Sequence, residues 1–102
     1  MDKPWLERKF RDGARFTFPV SYIVEHLKME RQKEVIFTDN DVWQVSKERR
    51  IRELLDAGKK PYPIDLSLEP NAELFVVGDG VTRLRVYRER GIEFVEAKLY
   101  HG

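Results

Sequence analysis

LFVVGDGVTRLRVYRERGIEFVEAKLY occupies residues 74–100. Leu74 to Val77 are four consecutive apolar residues, the continuous run of a buried strand. Gly78, Asp79 and Gly80 interrupt it as a turn. Val81, Leu84 and Tyr87 then recur at helical spacing, and Gly91 stops the helix they predict. Ile92 to Tyr100 returns to strand character, with Val95, Ala97 and Leu99 on one face. Strand, glycine turn, helix and strand in this order belong to a domain that mixes helices with a sheet.

The flanking sequence extends the pattern. In SKERRIRELLDAG, Ser46 predicts an N-cap, Ile51, Leu54 and Leu55 an apolar face, and Gly58 a stop. KKPYPIDLSL places two prolines before a short strand at Ile64 to Leu66, and EPNAE reads as a turn. Towards the N-terminus, ARFTFPV alternates at Phe16 and Phe18, a strand that Pro19 ends. Val20, Ile23, Val24, Leu27 and Met29 predict a single amphipathic helix from Val20 to about Gln32. Val35, Ile36 and Phe37 are β-prone and precede a turn at Thr38 to Asp41. Trp5, Leu6 and Phe10 fit one or two helical turns in a charged N-terminal segment. The expected fold is a single α/β (α+β) domain spanning residues 1–102: a small mixed sheet flanked by helices.

Charged residues make up 36% of the chain but nearly cancel, at net +1, so any electrostatic role must rest on local patches. Such patches exist. Residues 44–60 carry six positive and three negative side chains, and residues 80–91 carry four and one. If the two basic helices are neighbours, they make a positive patch. The absence of cysteine excludes disulfides, thiolate nucleophiles and cysteine-type zinc sites. His26 and His101 are too few and too far apart in sequence for a histidine metal cluster. No apolar run has membrane-spanning length, and the first residues do not resemble a secretory signal. A cytoplasmic protein is expected.

A buried strand that runs through glycines into a helix presents backbone N–H donors and a helix dipole to an anion. Gly78 and Gly80 would admit a phosphate close to the backbone, and Thr82 and Arg83 would hold its oxygens. Arg85 points elsewhere round the helix and would add charge. Asp79 either caps the helix or helps hold magnesium on the phosphates. The plainer alternative is a capped turn followed by a solvated helix. The spacing matches neither the P-loop nor the dinucleotide fingerprint.

The helix ending at Gly58, the Pro63-Ile64 strand and the Val76–Arg83 box, followed by Gly91 and Val95, resemble the ParB-like/sulfiredoxin superfamily over roughly residues 47–99. That resemblance implies a nucleotide phosphate site at a Gly-x-x-Arg box, here Gly80 and Arg83, with Arg85 matching a further arginine of the partition proteins. Asp79 matches the acid of some relatives. Val81 stands where sulfiredoxins carry their cysteine, so sulfinic-acid reduction is not expected. Val81 and Thr82 also depart from the partition-protein box, which weakens the case for hydrolysis more than for binding. The chain is too short for the DNA-binding and dimerisation domains of a full partition protein.

A different reading uses Lys47, Arg49, Arg50, Arg52, Lys59 and Lys60, with Trp43 just before them, as a nucleic-acid-binding or nuclease-like surface. Glu48, Glu53 and Asp56 interleave with these cations, as on a solvated, salt-bridged helix face. Tyr62, between two prolines, can stack on a base or pack. His26 has no acid specified nearby in sequence and reads as a boundary residue. A third reading is a non-catalytic interaction domain, including a homodimer.

Overall fold

The computed structural model describes residues 3–37 and 45–102. The expected turn at Thr38–Asp41 and the Trp43 side chain lie outside the described residues. Strands β1 (Ala14–Pro19), β2 (Ile64–Leu68), β3 (Phe75–Asp79) and β4 (Phe94–His101) form one sheet, in the order β1-β4-β2-β3. β4 pairs antiparallel with β1 and parallel with β2, and β2 pairs antiparallel with β3, so the sheet is mixed. The helices are α1 (Val20–Glu25), α2 (Glu30–Phe37), α3 (Val45–Asp56) and α4 (Val81–Glu89), after a short 3₁₀ turn at Pro4–Glu7.

Alternation along the strands sorts the two faces of the sheet. Phe18, Ile64, Leu66, Leu68, Phe75, Val77, Val95, Ala97 and Leu99 are buried on the helical side. Arg15, Thr17, Ser67, Glu96 and Lys98 stand on the other, more exposed side. Leu84 and Tyr87 of α4 join the same core, and α4 touches α1, α2 and α3. Trp5 is buried against Phe18, with ring centroids 4.5 Å apart. An edge-on chain of rings continues from Phe18 to Phe75 and from Phe75 to Tyr22.

Two local expectations are corrected. The helix expected over residues 20–32 is two helices. The chain leaves helical geometry at His26 because the sheet competes for its backbone. Phe75 N–H donates to the His26 carbonyl at 2.7 Å, and Lys28 N–H donates to the Phe75 carbonyl at 3.0 Å. Leu27 is thereby buried beside Phe75 at the edge of the sheet. The β-prone residues Val35, Ile36 and Phe37 are helical, with Ile36 buried, so packing overrides propensity.

α2 also seals the sheet edge. The Gln32 side-chain amide donates to the Val77 carbonyl at 2.7 Å, and its oxygen accepts from Val77 N–H at 3.0 Å. One side chain thus occupies the place of a fifth strand along β3. Helix α3 begins one residue before Ser46 and closes as expected at Gly58, which adopts φ +74. Gly58 N–H reaches Leu55 and Lys59 N–H reaches Leu54, the paired bonds that turn the chain out of a helix.

Candidate functional site

The basic helices are neighbours, but they do not form a positive patch where they meet. Arg85 Nε lies 2.9 Å from the buried Glu48 carboxylate. Arg52 contacts Glu89 at 2.5 Å, and Arg90 contacts Asp56 at 2.6 Å. These ion pairs join α3 to α4 and neutralise each other. Arg88 is exposed and lies over the Phe37 ring at 4.3 Å.

Arg83 is held as well. Its guanidinium donates to Asp79 Oδ2 at 3.0 Å, to the Pro63 carbonyl at 3.3 Å, and closely to the Tyr62 carbonyl. Its side chain is 12% exposed. Arg83 therefore fastens the loop before β2 to the first turn of α4. Gly80, and not Asp79, takes the N-cap position, and it has no side chain to cap with. Gly80 sits at φ +123, where an added Cβ would stand 2.4 Å from Ile64 Cγ2. Gly78 has strand geometry and ordinary space around it.

Beside this turn lies an open cleft of about 1060 Å³. Its walls bring the two basic segments together. Gly78 to Arg83 form one side, Lys47 and Arg50 of α3 another, Lys59 to Tyr62 a third, and Arg31 and Gln32 of α2 a fourth. Ile51, Leu54, Met29 and Val35 add apolar lining. Lys47, Arg50, Ile51 and Leu54 are spaced i, i+3, i+4 and i+7, so a single face of α3 supplies them. Among the described residues, six cations and one carboxylate, Asp79, line the cleft. Arg31, Lys47, Arg50, Lys59 and Lys60 are exposed, and among the described residues none of them has an ion-pair or hydrogen-bonding side-chain partner. Arg49 and Arg52 do not line the cleft, and neither does Arg85.

Sequence reasoning missed Arg31 and Gln32. Gln32 had a usable signal: a polar residue three after Met29 and four before Ile36, on what would be an apolar stripe. It also missed the acid beside His26. His26 Nδ1 bonds the Tyr22 carbonyl at 2.8 Å, and its Nε2 faces Glu73 at 3.9 Å. Glu73 accepts from the Tyr22 hydroxyl and from Lys3 Nζ, and Arg8 donates to the Ala72 carbonyl at 2.7 Å. The cluster fastens the N-terminal segment and α1 to the β2–β3 turn. It is separated from the cleft, whose lining includes none of these residues.

This cluster sets an expected pH response. The Tyr22 hydroxyl, and then Lys3, hold the Glu73 carboxyl below its usual range. A depressed carboxyl adds stability that is present above its unfolded value of about 4.3 and is lost as pH falls through the lower folded value. Thermal melts from neutral pH to about pH 3 should show this loss, and Glu73→Gln should remove part of the slope. Asp56 and Glu89, held low chiefly by Arg90 and Arg52, supply more of it. An unchanged slope in Glu73→Gln would show that the contact adds nothing. Tyr22 is shifted upward, first by burial and then by Glu73, so its contribution is present below about pH 10 and lost above it.

No helix among the described residues is long and apolar enough to cross a membrane. Those residues also contain no group of three or more His, Cys, Asp or Glu arranged to hold a metal. Compared with protein-family models, curated proteins and solved structures, the chain matches none.

Proposed function

We propose that the chain binds a nucleotide or a similar phosphate-bearing ligand in this cleft. The observation that carries the reading is the division of its cations. Those of α4 are committed to carboxylates, a ring or carbonyls, whereas Arg31, Lys47, Arg50, Lys59 and Lys60 face the cleft without acid partners among the described residues. Cations gathered without counter-charge repel one another, and a polyanion relieves that repulsion. The first turn of α4 adds its dipole and backbone N–H donors. The resemblance to nucleotide-binding ParB-like domains supports the same place.

The roles within the site shift. Lys47, Arg50, Lys59, Lys60 and Arg31 attract the phosphates, Gly78 lets the ligand approach, and Arg83 chiefly builds the wall. Asp79 is the one carboxylate that lines the cleft among the described residues, so magnesium would enter on the phosphates with Asp79 as one oxygen donor. Binding of the ligand is the activity proposed.

Calorimetric titration with ATP, CTP, ADP and pyrophosphate, with and without magnesium, tests this. Binding is expected, and the Lys47→Ala, Arg50→Ala double variant should weaken it while Arg15→Ala, on the opposite sheet face, should not. No heat or melting shift with any of them at millimolar concentration would end the proposal. Arg83→Ala should lower the stability of the ligand-free protein by about 1–3 kcal/mol, because the Tyr62 and Pro63 carbonyls lose a charged donor. An unfolding curve identical to the parent's would show that this attachment does not matter.

A further inference from the structure

We infer that the phosphate carrier taken by this cleft is a single strand of nucleic acid, with a base stacked on Tyr62 and the phosphates following the cations of the walls. The inference rests on reading the cleft as a phosphate site. Tyr62 is the first observation. It is 88% exposed, far above Phe37, Phe94 or Met29. The Arg88 guanidinium lies over one face of the Phe37 ring, whereas among the described residues no ring or cation packs on Tyr62. Pro61 and Pro63 restrict the backbone on both sides, and Arg83 grips the Tyr62 carbonyl. A ring held out on a stiffened loop at the rim of a cationic cleft is the form a stacking platform takes.

The distribution of charge is the second observation. The five cations come from three separate segments of the wall. Arg31 is on α2, Lys47 and Arg50 are on α3, and Lys59 and Lys60 adjoin Tyr62. Cations spread along several walls match charges repeated along a chain. The cleft volume of about 1060 Å³ also lies just above the usual range for small-ligand sites, roughly 300–1,000 Å³. Double-stranded nucleic acid fits less well, because its bases are stacked on one another and offer no free face to Tyr62.

The test is fluorescence anisotropy with labelled single strands of about ten nucleotides, both thymine deoxyribose and uracil ribose forms. A duplex, ATP and inorganic polyphosphate serve as competitors. The strands are expected to bind more tightly than ATP, and affinity should fall with added salt. Tyr62→Ala should weaken strand binding about ten-fold and leave polyphosphate binding unchanged, while Tyr62→Phe keeps the affinity. The Lys47→Ala, Arg50→Ala double variant should weaken both and reduce the salt slope by roughly 1.4. A duplex bound as tightly as the strand, ATP bound as tightly as the strand, or Tyr62→Ala without effect on the strand would overturn the inference. In each of these cases the phosphate site itself survives. Failure of strand, ATP and polyphosphate alike would overturn both.

Discussion

Replacing Gly80 with alanine is expected to destabilise the protein by about 2–6 kcal/mol, enough to unfold much of a marginally stable domain. Two costs combine. At φ +123 an L side chain is strained, at about 1–3 kcal/mol. The new Cβ would also stand 2.4 Å and 2.7 Å from two atoms of Ile64, and overpacking of this kind adds about 1–3 kcal/mol. Ile64 cannot retreat, because it is fully buried and lies on the interior strand β2. Gly78→Ala is the matched control. Its Cβ would meet nothing closer than 3.6 Å, and a stability change within about 1 kcal/mol is expected. Urea unfolding of both variants decides the matter, and a Gly80→Ala midpoint near the parent's would refute the packing account. The pair also separates two functions of one turn. Gly80 is explained by the sheet beneath it. A Gly78→Ala protein that stays folded but loses ligand would assign the phosphate approach to Gly78.

Gln32→Ala should cost about 2–4 kcal/mol, from two hydrogen bonds lost at once. The Val77 N–H and carbonyl lie along a sheet edge that Gln32 alone satisfies there among the described residues. Alanine leaves both groups without that partner. Gln32→Glu is the sharper variant. A carboxylate still accepts from Val77 N–H but sets an oxygen against the Val77 carbonyl, so neutral-pH stability should fall to about the alanine level. Acid should restore part of the difference, because a protonated glutamate regains a donor. If both variants unfold like the parent protein, the edge is satisfied by water instead.

Much of the fold could be read along the chain because its signals are local. The strand at 74–77, the helical stripe of Val81, Leu84 and Tyr87, and the alternation of Val95, Ala97 and Leu99 each need only neighbouring residues. The break at His26 could not be read this way, since its cause is Phe75, far along the sequence. The site shows the same division. Lys47, Arg50, Lys59, Lys60 and the Gly78–Arg83 turn were legible as two separate basic features. Their convergence on one cleft depends on how α3 packs. Arg83 looked like a ligand arginine because its partners are backbone carbonyls, which carry no residue signature. Glu73 escaped notice beside His26 because the pair is joined only through the sheet.

The attachment of α3 has a thermal consequence. Its polar pairs with α4 are ionic, and its apolar residues Ile51 and Leu55 pack partly buried against the core. Lifting α3 away would expose less apolar surface than melting the sheet, which uncovers Phe18, Leu66, Phe75 and Leu99, and would carry the smaller heat-capacity change. Hydration of freed ions also becomes less favourable on warming. Hydrogen exchange in α3 should therefore report an opening free energy that varies less with temperature than that of β4, which follows the curved stability of the whole domain. The wall of the cleft and the sheet behind it are built to respond to heat in different ways.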